Sequence, residues 1–270
     1  MGQGLQGTVV MITGASSGIG WATAKLLAQE GARVALMARS QERLRRLADE
    51  IRQEGGEALP LPTDVADREA VQMAVEEILK RWQRIDILIN NAGQGYYAAV
   101  QDIHPKDFEQ LMAINLYGAL NAIQAVLPHM ERQGRGHIVN ISSVVGRRAI
   151  PFMGAYCATK FALNALTEAL RVEVRKKGIW VTLVAPGRTD TPFFENARAS
   201  KGIKPFPRQR GMSPEAVARH ILRACLKRKR EVNLTFSGKL LIWLNVFCPS
   251  LVDLVLGMMF RRTLVTSVEG

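Results

Sequence analysis

The sequence predicts an α/β fold: a doubly wound parallel sheet of about seven strands with helices on both faces, followed by an apolar helical extension. Three observations carry that prediction. Apolar, β-preferring runs at 8–12, 33–38, 58–62 and 85–89 alternate with helical stretches, so three βα units fit within the first ninety residues, the pattern of a parallel sheet with right-handed crossovers. The first run enters a glycine-rich turn that opens a helix, an arrangement able to cradle phosphate. The polar residues that stand out, Gly14, Arg39, Asp64 and Asn91, all follow a strand directly, and the carboxyl ends of strands are where open α/β sheets bind ligands.

The 270 residues suffice for one large domain, and 47% hydrophobic against 22% charged residues are the proportions of a folded protein. Lys and Arg outnumber Asp and Glu by 36 to 24, a net charge of +12, which suits anionic small ligands or an anionic surface. The basic residues are scattered, with short knots at Arg45-Arg46, Arg147-Arg148, Lys176-Lys177 and Lys227–Arg230. No nucleic-acid motif accompanies them, which argues against nucleic acid as a partner. Cys157, Cys225 and Cys248 have no Cys-x-x-Cys spacing, and their odd number argues against a disulfide framework. No metal-ligand set is assigned. The chain passes from Met1-Gly2-Gln3-Gly4 straight into an apolar strand without a signal-like region, so a cytoplasmic location is expected.

Thr8–Ile12 reads as a strand buried on both faces. It runs into Thr13-Gly14-Ala15-Ser16-Ser17-Gly18-Ile19-Gly20 and a helical stretch, Trp21–Glu30. In a Rossmann-like unit Gly14 permits the tight turn, Gly18 lets the backbone approach a pyrophosphate, and Gly20 lets helix pack closely on strand. The spacing is Gly-x-x-x-Gly-x-Gly, so this motif alone also fits a glycine-rich turn without a ligand. Arg33–Ala38 is the second strand, and the residue at its end decides between NAD and NADP. A carboxylate there would bond the ribose 2′-hydroxyl and repel a 2′-phosphate. Ala38-Arg39-Ser40 supplies a guanidinium instead, which favours NADP(H); Arg39 equally fits the start of the solvated helix Gln41–Gln53.

Ala58–Pro62 leads to Thr63-Asp64-Val65, Asp67–Arg84 is an amphipathic helix, and Ile85–Ile89 ends in Asn90-Asn91-Ala92-Gly93. Pro105–Glu131 has a helical pattern, with Asn115, a poor helix-interior residue, among apolar neighbours. The fifth strand, from Gly136, delivers Ser142 and Ser143 at its carboxyl end; the sixth, Trp180–Ala185, ends at Pro186-Gly187 and Thr191. Ser213 caps a helix with Pro214 at its first position, and Glu231–Phe236 is the seventh strand.

Ala155–Lys177 has no Pro or Gly and is rich in Ala, Leu and Glu, so a helix is expected. Tyr156 and Lys160 then lie one turn apart on one face, about 6 Å along the axis. A cation beside a phenol favours the phenolate, so the Tyr156 pKa is expected to fall toward neutrality, where a phenol exchanges a proton with an oxygen readily. Alone, Tyr-x-x-x-Lys also fits a solvated helix face.

Taken together, Thr13–Gly20, Asn90–Gly93, Asn115, Ser143, Tyr156, Lys160 and Pro186-Gly187 resemble the short-chain dehydrogenase/reductase family in order and spacing, over about residues 7–236. The resemblance implies a carbonyl reductase that prefers NADP. It makes Tyr156 the general acid/base on the substrate oxygen, and Lys160 the group that lowers its pKa and bonds the nicotinamide ribose. Ser143 holds the carbonyl oxygen, with Ser142 as second choice, and Asn115 places a water between Lys160 and solvent. The cofactor is assigned to Gly14, Ser16, Ser17, Gly18, Ile19, Gly20, Arg39, Ser40, Asp64, Val65, Asn91, Ala92, Gly93, Pro186, Gly187, Thr189 and Thr191, besides Tyr156 and Lys160. Of these, Asp64 contacts the adenine and Thr191 lies near the carboxamide. There are two departures. Ser17 stands where many NADP-preferring members carry Arg or Lys, and Arg188-Thr189-Asp190 brings charge where an apolar residue is commoner. The family also implies a homodimer or homotetramer built on the helices around Asn115 and Tyr156. Ala162, Ala165 and Ala169 give the second helix a small-residue stripe, which equally fits packing within the chain.

Residues 188–211 form a loop-rich insert, the substrate lid of that family. Its Phe193, Phe194, Pro205, Phe206 and Pro207, with Tyr96, Tyr97 and Phe152, suggest an apolar pocket; Ser143, Tyr96, Phe152 and Phe193 are the expected substrate contacts. The chain divides into a catalytic domain, 1–237, and an extension, 238–270. Leu240–Phe260 is apolar except for Asn245, Ser250 and Asp253, with Lys239 before it and Arg261-Arg262 after. Pro249 splits it into two short helices, Leu240–Phe247 and Ser250–Phe260, too short to span a bilayer singly. Peripheral contact with a membrane surface, cover for the pocket or a partner subunit, and a true span all remain open. The expected function is hydride transfer between NADP(H) and a lipophilic ketone or secondary alcohol, lipid-chain or steroid-like. The rival reading is a non-enzymatic NADP-binding sensor or scaffold on the same fold.

Overall fold

Alternate residues of β1 (Val9–Thr13) serve two different cores: Val10 and Ile12 pack into one layer, Val9 and Met11 into the other. That two-sided burial is why the strand reads as an unbroken apolar run. A computed structural model describes residues 4–200, 203 and 211–266. Besides β1, its main sheet contains β2 (Arg33–Ala38), β3 (Glu57–Pro62), β4 (Ile87–Asn90), β6 (Gly136–Ile141), β7 (Ile179–Ala185) and β9 (Glu231–Asn233). All seven run parallel, in the order β3-β2-β1-β4-β6-β7-β9. Helices α1 (Gly18–Gln29), α2 (Gln41–Gln53) and α7 (Pro214–Lys227) bury their apolar stripes on one face; α3 (Arg68–Trp82), α5 (Gly118–Gln133) and α6 (Gly154–Glu173) cover the other. The doubly wound α/β fold is the one observed. Its strand order reverses beside β1, between β2 and β4, which opens a crevice at their carboxyl ends.

Three elements differ from expectation. The helix expected over Pro105–Glu131 is α4 (Pro105–Met112) and α5 joined by a π-turn, Ala113–Tyr117. Asn115 lies in that turn, buried, and its amide serves Gln94 and Thr159 rather than competing with the helix. The seventh strand stops at Asn233 because Thr235 caps α8 (Phe236–Phe247), accepting a bond from Gly238 N at 3.1 Å. The second tail helix, α9, is longer than expected, Pro249–Thr266. A two-stranded parallel pair, β5 (Tyr96–Tyr97) with β8 (Arg198–Ala199), ties the lid to the chain after β4. Tyr96 donates to Asp107 on α4 at 3.2 Å, and Asp107 pairs with Arg198 at 2.6 Å. Pro205, Phe206 and Pro207 lie outside the described residues.

Among the described residues one continuous helical stretch, Pro105–Gln133, is long and apolar enough to cross a membrane, and its α5 half packs on the sheet. The apolar parts of the tail, Ser237–Phe247 and Pro249–Phe260, are each shorter than a span requires.

His137 on β6 is buried, with Nε2 2.7 Å from the hydroxyl oxygen of Thr182. That hydroxyl donates to Lys229 O, so Nε2 carries the proton shared with Thr182. Burial, with Arg228 adding to it, pushes the His137 pKa from 6.5 to about 4. The unfolded chain therefore takes up this proton first, and stability present above pH 6.5 is lost as pH falls toward 4, by about 3 kcal/mol. Urea midpoints at pH 7 and pH 4.5 should differ more in the unmodified chain than in His137→Gln. Equal differences would remove His137 as the cause.

Candidate active site

The loop after β1 is fixed from β4. Asn91 Nδ2 donates to Thr13 O at 3.1 Å and Gly14 O at 3.0 Å, while the amides of Asn91 and Ala92 donate to Thr13 Oγ1 at 3.0 and 3.1 Å. This clamp leaves no room for side chains at two glycines. A Cβ on Gly14, where φ is +68°, would lie 2.7 Å from Ala92 Cα, and one on Gly20 would lie 2.3 Å from Gly14 O. The third, Gly18, packs against Thr191.

Along this loop runs a groove of about 370 Å³ lined by Gly14, Ser16, Ser17, Gly18, Arg39, Ser40, Asp64, Val65, Asn91, Ala92 and Gly93. At one end Arg39 is joined by Arg43, which the sequence reading missed. Ser40 caps α2 by accepting from Arg43 N at 3.4 Å, so the first turn of the helix brings Arg43 round to the Arg39 side. A basic residue three positions after the cap was the available signal. Asp64 Oδ1 accepts from Ala66 N at 3.0 Å and holds the turn after β3. Backbone exposed at glycines, hydroxyls and a pair of guanidinium groups form a set of donors that fits a phosphate-bearing dinucleotide.

The groove continues into a cleft of about 90 Å³ where Ile19, Pro186, Gly187, Thr189 and Thr191 meet Ser143, Tyr156 and Lys160. Beyond it lies an apolar cavity of about 440 Å³, also bordered by Ser143 and Tyr156. Tyr156 and Ser143 therefore stand at the junction of a polar and an apolar chamber. Ser143 Oγ lies 3.5 Å from Pro186 O, a long bond that a better acceptor can replace, and it accepts from Val145 N at 3.4 Å. Ser142, the second choice, turns into the core and donates to Asn164 Oδ1 at 2.5 Å.

Lys160 is buried, donates to Ile141 O at 3.0 Å and lies 5.8 Å from the Tyr156 ring centroid. Burial pulls its pKa down to about 8. The expected fall of the Tyr156 pKa is not what the structure gives: burial drives it up, with Cys157 adding and the Ser143 hydroxyl only partly opposing. Removal from water dominates both groups, and Lys160 Nζ is turned to Ile141 O. Asn115 sits behind Lys160. It accepts from Gln94 N at 2.8 Å and donates to Gln94 O and Thr159 Oγ1, each at 3.0 Å.

The aromatic residues divide differently from expectation. Phe193 faces the dinucleotide groove, its ring 5.6 Å from that of Tyr156, while Phe194 lines the apolar cavity. Tyr96 and Phe152 are buried in the cluster behind the cavity and do not line it, because Tyr96 is held by Asp107 and Phe152 packs 6.5 Å from Phe260. The rest of the cavity wall comes from the tail, with Leu244, Val252, Leu256 and Phe260 among its residues. Arg148 holds this tail to the loop after β6, donating to Asn245 Oδ1 at 2.9 Å and pairing with Asp253. Two of the three polar residues that interrupt the apolar run, Asn245 and Asp253, thus share one partner.

A glycine-clamped crevice opening on a buried Tyr–Lys pair with a half-buried serine beside it defines a nicotinamide-dinucleotide oxidoreductase. Residues 8–202 match the family described as short chain dehydrogenase. The chain belongs to the short-chain dehydrogenase/reductase family. It is 34% identical over 261 residues to a fatty acyl-CoA reductase of Acinetobacter baylyi, spanning 96% of this chain and 86% of that one. A metagenomic short-chain oxidoreductase crystallised with NADP superposes with a TM-score of 0.72 at 32% identity, covering 85% of this chain and 97% of that one. A short-chain dehydrogenase/reductase of Burkholderia phymatum, in complex with NAD, reaches 0.84 at 25% identity over 93% and 96%.

Proposed function

We propose that the chain is an NADP(H)-dependent reductase of lipophilic ketones, able to run in reverse on secondary alcohols. The observation that carries this reading is the position of Tyr156 and Ser143 between a polar groove and an apolar cavity. NADP(H), held by the glycine loop, Arg39, Arg43, Asn91–Gly93 and Pro186–Thr191, supplies or takes up the hydride. Ser143 donates a hydrogen bond to the substrate oxygen as negative charge gathers there. Tyr156, which burial keeps protonated at neutral pH, gives that oxygen its proton. Lys160, tied to Ile141 O, provides positive charge beside the phenol, and Asn115 with Thr159 fixes the helix turn that carries both. NADPH oxidation followed with a panel of apolar ketones tests the reading; no turnover with any of them, with the cofactor bound, would favour the sensor or scaffold instead.

Preference for NADP rests on Arg39 and Arg43 with no carboxylate at the end of β2. Arg43 takes the place left empty by Ser17 as the second cation. Arg39→Ala should weaken NADPH binding by about 1.5–3 kcal/mol and NADH binding little, and adding Arg43→Ala should erase the remaining preference. Equal affinities for the two cofactors in the unmodified chain would sink this assignment.

The same reading includes a homodimer or homotetramer. On α6 Ala165, Ala169 and Phe161 are exposed while Ala162 is half-buried, and Tyr117 is exposed on the α4–α5 helix, two residues from Asn115. A monomeric mass at micromolar concentration would count against it. It includes as well a cytoplasmic setting with peripheral membrane contact through 240–260.

A further inference from the structure

The apolar cavity above Tyr156 is completed by residues beyond 202, outside the segment that matches the family. On its inner side α9 contributes Val252 and Leu256, both buried, opposite Leu244 of α8. The next residues round the helix are different. Leu251, Val255 and Met259 border the cavity, yet they are 51%, 41% and 70% exposed, so they form its rim. On a helix these positions are continuous with Leu254 and Met258, and the neighbouring α8 exposes Trp243, Val246 and Phe247. The mouth of the cavity and the outer face of the α8–α9 hairpin are thus one apolar surface.

Of the polar residues in this stretch, Asn245 and Asp253 both engage Arg148, Asp253 from the flank of α9 away from Leu251 and Val255, and Ser250 is exposed in the first turn of the helix. Exposed apolar side chains gathered on one face of a folded chain in this way mark an interaction site. A second copy of the chain would bring +12 against +12. An anionic lipid surface instead attracts the net charge, the exposed Lys239 at the hairpin edge and the Arg261-Arg262 pair that follows in sequence.

We propose that the outer face of the α8–α9 hairpin rests in a lipid surface and that the substrate, a ketone or alcohol on an apolar chain dissolved in that lipid, enters through the Leu251–Val255–Met259 rim. This rests on the reductase reading above and adds the phase from which the substrate comes. The chain's carbonyl end reaches Tyr156 and Ser143 while its tail lies along Val252 and Leu256, so the substrate never crosses water.

The test uses the full chain with NADPH, a long-chain methyl ketone carried in phosphatidylcholine–phosphatidylglycerol vesicles, and cyclohexanone in water. The variant is Trp243→Ser with Phe247→Ser, two exposed positions outside the cavity. The unmodified chain should float with the vesicles and the variant should not. The ratio of long-chain to cyclohexanone turnover should fall about tenfold or more in the variant, since each buried aromatic side chain contributes more than a factor of ten in partitioning. The ratio should recover when the long-chain ketone is presented in detergent. Failure of the unmodified chain to float would overturn the proposal while leaving cyclohexanone reduction intact, and a dimeric mass lost in the variant would give the face to a second copy. Flotation lost with the ratio unchanged would overturn the entry route. No NADPH oxidation with either ketone, with flotation retained, would overturn the reductase reading and the route with it.

Discussion

Tyr156→Phe lowers kcat for ketone reduction by about 10²–10⁴-fold while NADPH binding stays nearly unchanged. Loss of a positioned proton donor has an effect of that size, and this substitution removes little else. The ring keeps its place against Phe193 and in the buried cluster with Met153 and Ala155. Lys160 is anchored to Ile141 O rather than to the phenol oxygen, so the lysine is not released. Single-turnover reduction and cofactor titration measure the two quantities separately. Turnover within about tenfold of the unmodified chain would transfer the proton to another donor, with Ser143 the first to examine.

Gly20→Ala should be the most damaging change outside the chemistry. A methyl group there meets Gly14 O at 2.3 Å and Asn91 Nδ2 at 2.6 Å. Neither can retreat, because Asn91 donates to both Thr13 O and Gly14 O. The loop has to shift, and with it the backbone that lines the groove. Overpacking of this kind costs about 1–3 kcal/mol of stability, and NADPH affinity should fall by about tenfold or more. Gly257→Ala is the matching control. Nothing lies within 4 Å of a Cβ at that position of α9, and alanine in a helix interior is favoured over glycine by about 1 kcal/mol. If Gly20→Ala melted and bound NADPH like the unmodified chain, the clamp between β4 and the glycine loop would have no bearing on cofactor binding.

The sheet was legible in the sequence because a strand buried on both faces leaves an apolar run, and those runs are spaced by amphipathic helices. Gly14, Asn91 and Ser143 gather at one crevice for the same reason, since a parallel sheet brings the carboxyl ends of its strands together, and the first turn of α6 carries Tyr156 to it. Local signals also revealed caps, as at Ser213, which accepts from Ala216 N at 3.1 Å. What could not be read depends on distant partners. Nothing near Asp253 in the chain indicates Arg148, 105 residues away, so an acid paired across the site looked like an acid misplaced in an apolar tail. The Tyr156 pKa was misjudged because helical spacing reveals a nearby cation but not how completely both groups leave water. Phe193 and Phe194 are adjacent in sequence, yet one faces the groove and the other the cavity, a division set by the path of the lid.

The π-turn at Ala113–Tyr117 is a widened place in the helix that contains it. A π-turn closes its hydrogen bonds five residues back rather than four, so it takes in one residue more than an α-turn while the helix on either side keeps its facing. Deleting one residue from the turn would permit an ordinary α-helix from Pro105 to Gln133, with Asp107 and Gln110 still turned toward Tyr96 and Arg198. What would go is the widened turn itself, and with it the place from which Asn115 reaches Gln94 and Thr159. The extra residue serves to hold a polar side chain inward, against the helix that carries Lys160.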